Sequence, residues 1–168
     1  DQVALDLRLY VRDAIDLDMT PLLAELQAAL VDSAEKYADV VMPAYTHLQR
    51  AQPVSAAHWL LSHVWPLDRD RERLGDAARR ASVLPLGSGA VAGCPFPVDR
   101  VRLKEALGFT ALSSNSMDAV ADRDWVAELL FVLSLVGVHL SRLAEDLVVF
   151  GASEFGFVRV CLLYTSDA

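Results

Sequence analysis

One stretch, Pro43-Ala44-Tyr45-Thr46-His47-Leu48-Gln49-Arg50-Ala51-Gln52-Pro53, holds a threonine hydroxyl, an imidazole, two amides and a guanidinium between two prolines. The prolines favour a turn or extended backbone and oppose a continuing helix, so these polar groups are offered from an irregular segment with rigid neighbours. That is the build of a substrate-gripping loop. By residue type alone the commoner reading is a helix-connecting loop whose His and Gln side chains satisfy backbone groups.

The remaining chemistry-bearing residues narrow the choice. His58, His63 and His139 form no metal motif such as His-Glu-x-x-His, and His58 and His63, five apart on an expected helix, point to different faces. Cys94 and Cys161 are too few and too far apart for a disulfide framework or a zinc site. No metal is therefore expected, and the cysteine usage fits a reducing compartment. The glycines from Gly87 to Gly93 are no phosphate loop, because no Gly-Lys-Ser/Thr follows them.

Several elements must position these residues. Val3, Leu7, Tyr10, Val11 and Ala14 recur with helical spacing from Gln2 to about Leu17, and Thr20-Pro21 reads as a cap and first-turn proline of a second helix toward Tyr37. The two can also be one kinked helix. Ser55 caps a third helix running to about Ala81 with a kink at Pro66, and residues 84–98 form a long irregular connection. Asp99 caps a short helix that ends near Leu107, with Gly108 in the left-handed position. A last helix runs from about Asp118 to Phe150, where Leu129, Leu133, Val136, Leu140, Leu143, Leu147 and Phe150 make a heptad seam. Val126, Leu130, Phe131, Leu135 and Val138 lie off that seam, so this helix must be covered on several sides. Asn115, Asp118, Asp122, Arg123 and Asp124 read as capping and pairing groups, and Trp59, Trp65 and Trp125 as core or bundle contacts. No segment alternates like a strand. The expected fold is all-α, a long-helix bundle that oligomerises.

Composition agrees. The 168 residues make one domain by size, and a net charge of −8 with no basic face excludes nucleic-acid binding. A hydrophobic content of 54 % and a mean hydropathy of +0.30 exceed what one self-contained core requires, so protein partners are expected. The longest charge-free apolar run, Leu129 to Leu140, falls short of the roughly 18–20 residues that cross a bilayer, so no membrane span is expected. The chain opens on Asp1, without Met or signal peptide, as a piece of something longer would.

Tyr45-Thr46-His47-Leu48-Gln49-Arg50-Ala51-Gln52-Pro53 resembles the Thr-His block of the fumarase/aspartase superfamily, and its continuation resembles the argininosuccinate lyases within it. Further blocks agree in order: Asp1-Gln2-Val3-Ala4-Leu5-Asp6-Leu7-Arg8, the connection Leu84 to Gly93, Phe96-Pro97-Val98-Asp99-Arg100, Asn115 to Asp124, His139 to Leu147, and Ser153-Glu154-Phe155-Gly156-Phe157. The resemblance implies the central helical domain of a cytoplasmic homotetramer over residues 1–160. It also implies reversible β-elimination of argininosuccinate to arginine and fumarate without cofactor, at sites shared between subunits. His47 would take the family's proton-transfer role, Thr46 would bind a substrate carboxylate, and Gln49 would contact the substrate. Residues 161–168 lack the family's Gly-Ser-Ser-x-Met-Pro motif and are expected to be a departing, artefactual tail. Without that motif the chain alone is expected to be inactive. The rival readings are a crystallin-like assembly protein and a sister lyase acting on adenylosuccinate, aspartate or fumarate.

Overall fold

The structure is a computed structural model describing residues 1–159; the tail 161–168 and Cys161 lie outside the described residues. Helix dominates, in two compact units: Asp1–Leu26 with Asp68–Ser134, and Gln27–Leu67 with residues 135–159. Among the described residues the elements run α1 (Gln2–Asp13), a π-helical stretch (Ala14–Met19), α2 (Thr20–Lys36), β1 (Val41–Thr46), β2 (Gln49–Ser55), α3 (Ala56–Ala81), β3 (Val83–Leu84), α4 (Arg100–Ala106), β4 (Ala111–Leu112), α5 (Ser116–Ala121) and α6 (Asp124–Gly151).

The start of the chain is one continuous helical path. Thr20 does not cap: it is itself helical, and its N–H reaches back five residues to the Ile15 carbonyl. Pro21 explains the widening, because it has no N–H for the Leu17 carbonyl and its ring crowds the preceding turn, which a π stretch relieves. The expected caps further on are present. Ser55 Oγ accepts from the His58 N–H at 3.0 Å, Asp99 Oδ1 from Arg102 N–H at 3.0 Å, and Gly108 takes φ +65°.

In the first unit, Leu5, Leu84 and Phe109 are buried together, with Leu9, Leu86, Leu103, Leu107 and Leu112 packed against them. The short parallel pair of β3 and β4 joins Val83 to Ala111 and Leu84 to Leu112. Arg8, 2 % exposed, ties three elements together. Its guanidinium donates to Asp122 Oδ2 at 2.6 Å and to the carbonyls of Arg80 and Ala81 at 3.1 and 3.3 Å, and lies 4.8 Å from the Trp125 ring centre.

Asp122 also corrects the expected helix from Asp118 to Phe150. Its other oxygen accepts the Asp124 N–H at 2.9 Å, so the residue breaks the path between α5 and α6 and starts α6 afresh. Asn115 Oδ1 caps α5 by accepting from the N–H groups of Met117 and Asp118.

The irregular connection after β3 is tied down by Asp1, whose Oδ2 accepts from the N–H groups of Gly87 and Gly89 at 3.0 Å each. Arg100 donates to the Leu86 carbonyl at 3.0 Å and to Ser113 Oγ at 2.7 Å. At Gly89 the backbone is left-handed, φ +59°, and a β-carbon would stand 2.3 Å from the Gly93 carbonyl oxygen. Gly89→Ala is therefore expected to destabilise the protein by about 1–3 kcal/mol, read as a lowered urea midpoint.

The second unit contains the main departure from an all-helical reading. β1 and β2 form an antiparallel hairpin with Met42 opposite Val54, Tyr45 opposite Arg50, Thr46 opposite Gln49 and a bulge between Pro43 and Tyr45. Pro43 stands opposite Pro53, so both missing ladder donors fall on one rung. Tyr45 meets Phe155 edge to face at 5.1 Å, and Phe150, which Tyr45 also meets at 6.0 Å, packs on Trp59 of α3 at 5.3 Å, so aromatic packing holds the tip end of the hairpin.

Along α6, Leu129, Leu143 and Phe150 of the seam are buried, but Leu130, Phe131, Val138 and Val148 are 54–70 % exposed. By length and composition alone, α6 is the one helix among the described residues that could cross a membrane.

Candidate active site

The hairpin delivers the polar stretch to one place. His47 and Leu48 form its two-residue turn, both left-handed at φ 52° and 57°, as a tight primed turn demands. Thr46 and Gln49 face each other on the last rung beside them. All three predicted residues thus share the hairpin tip, exposed to solvent.

Beside the tip lies a cavity of about 570 Å³, lined by Tyr45, His47, His58, Trp59, Glu145 and Asp146 among others. That volume suits a small organic ligand. His47 lines the cavity; Thr46 and Gln49 stand next to it in sequence but are not among its lining residues. His58 and His63 do lie on different faces of α3: His58 is exposed and lines the cavity, whereas His63 is 7 % exposed and sits behind it.

Sequence reasoning missed Asp146. The Trp59 indole N–H and His63 Nε2 each lie 2.9 Å from Asp146 Oδ2. Trp59 and His63 are four apart on α3, so a shared helical face was the available signal, and comparing His63 only with His58 overlooked it. A carboxylate fixed by two donors, set into a half-open cavity that also holds two imidazoles, can grip a cation at one wall while proton transfer proceeds at another.

A family described as Lyase matches residues 1–167. The argininosuccinate lyase of Roseiflexus sp. (strain RS-1) is 56 % identical over 168 residues, covering 100 % of this chain and 37 % of that protein. That of Roseiflexus castenholzii is 57 % identical with the same coverage. The crystal structure of EDDS lyase in complex with formate superposes with a TM-score of 0.84 at 33 % identity, covering 89 % of this chain and 30 % of that one. The chain thus spans 37 % of the length of the curated relatives it matches.

Proposed function

The chain belongs to this lyase family, and from that membership we propose that it serves the reversible β-elimination of argininosuccinate to arginine and fumarate. The observation that carries the reading is identity of 56–57 % along the whole chain to argininosuccinate lyases. The tip geometry agrees with it. A base takes the proton from the carbon beside a carboxylate, the resulting dianion expels the guanidinium nitrogen, and an acid protonates that nitrogen as it leaves. His47, at the turn and on the cavity wall, takes part in the proton transfer, since an imidazole can accept a proton at one ring nitrogen and donate from the other. Thr46 binds a carboxylate and Gln49 contacts the substrate from the adjoining rung.

The working form is a cytoplasmic homotetramer that needs no cofactor, with residues 1–160 as its central helical domain. The exposed apolar side chains of α6 support the assembly, because one chain leaves Phe131 and Val148 61 % and 70 % exposed. Covering them is what a bundle of such helices achieves.

The test is a graft in which residues 1–160 of this chain replace the matching stretch of the Roseiflexus castenholzii enzyme, whose own sequence continues from there. Turnover is measured on argininosuccinate, adenylosuccinate, aspartate and malate, the last in the fumarase direction. The expected result is fumarate release from argininosuccinate far above the other three. An assembled graft that releases none, or prefers another substrate, overturns the reading.

A further inference from the structure

We propose that Asp146 recognises the cationic, guanidinium-bearing half of the substrate and that His63 is the positioning residue that holds it for the task. The inference rests on the lyase reading above and deepens it, because a substrate with carboxylates at one end and a guanidinium at the other needs partners of both kinds.

Two carboxylates, Glu145 and Asp146, line the cavity that His47 also lines. Of the two, Asp146 is the one oriented from behind. Trp59 and His63 converge on a single oxygen, Oδ2, at 2.9 Å each. His63 is nearly enclosed, its side chain 8 % exposed, while the Asp146 side chain remains 42 % exposed. Two donors from one helix face on one oxygen hold the carboxylate against α3, and Asp146 offers its remaining acceptor capacity to the cavity it lines. A guanidinium N–H donates to such a carboxylate with charge assistance, which confers selectivity for the cationic half. His63 itself does not line the cavity, so its contribution passes through Asp146.

The arrangement also separates substrates. Fumarate, aspartate and malate carry no guanidinium, so a carboxylate at this wall favours argininosuccinate and arginine over them. Nothing in the proton-transfer step requires Asp146, so its loss should fall on one substrate half.

The experiment uses the graft and runs the reaction toward argininosuccinate, so that arginine and fumarate have separate KM values. Asp146→Asn is expected to raise the KM for arginine about 10- to 100-fold and leave that for fumarate within about 3-fold, the range expected for losing a hydrogen-bonded charge partner. His63→Gln, which keeps an N–H donor, should stay close to the unmodified graft. His63→Leu should shift toward Asp146→Asn. Arginine binding to the same proteins, measured by calorimetry, requires no turnover, so it judges the inference even where the graft is inactive. Equal changes for arginine and fumarate, or unchanged arginine binding in Asp146→Asn, overturn the proposal. An unmodified graft that binds arginine and makes no argininosuccinate overturns the lyase reading instead.

Discussion

His47→Asn in the graft is expected to slow fumarate release by about 10²- to 10⁴-fold, the contribution of a positioned proton-transfer group. The substitution separates chemistry from folding unusually well. His47 occupies a left-handed turn position at φ 52°, where asparagine is among the best tolerated side chains, so the hairpin is not strained by the change. The side chain is exposed, and exposed substitutions usually move stability by no more than about 0.5 kcal/mol. A large loss of rate with an unchanged melting temperature therefore assigns the effect to the imidazole. Wild-type rate in His47→Asn would remove His47 from the mechanism.

The largest effect on stability is expected at Arg8. Replacing it by Met keeps much of the stem's volume but leaves Asp122, with a side chain 28 % exposed, without its 2.6 Å partner. The carbonyls of Arg80 and Ala81 lose a donor at the same time. Breaking this partly buried pair and taking the donor from two carbonyls costs about 2–4 kcal/mol, well above the fraction of a kcal/mol measured for exposed pairs. The exposed pair of Arg79 and Asp76 at 3.0 Å provides the comparison, and Arg79→Met should be nearly silent. Urea unfolding followed by circular dichroism reads both. Similar midpoints for the two variants would mean that Arg8 does not hold α1, α3 and the break before α6 together.

The contrast between these arginines shows where sequence runs out. Arg8 and Arg79 are both cations on amphipathic helices, and spacing alone ranks neither above the other. What distinguishes them is burial, set by chain segments up to 114 residues away. The same limit explains the hairpin. Its strands carry Pro43 and Pro53 and a His-Leu turn in place of Asn-Gly, so no periodicity of two announces it. Pairing the two prolines on one rung is a tertiary solution that neither strand displays by itself.

Local rules, by contrast, were enough for most of the helices. Ser55, Asp99 and Asn115 cap where side chains of their kind satisfy free N–H groups, and Gly108 takes the left-handed conformation that residues with a β-carbon resist. They failed at Thr20, where continuation of the helix outweighed the cap, and in running one helix through Asp122, which caps α6 and pairs with Arg8 as its type suggests but breaks an apparently continuous pattern.

By itself, then, the sequence determined a predominantly helical chain, its capped boundaries, its excess of apolar surface and the polar stretch that carries Thr46, His47 and Gln49. These follow from interactions within a few residues, or from composition. The tertiary structure decided that this stretch is a hairpin tip, that His47 lines a cavity, and that Trp59 and His63 fasten Asp146 beside it. Those outcomes depend on contacts across 83 and 87 residues of chain, and such contacts are selected by packing and burial, which local spacing does not encode.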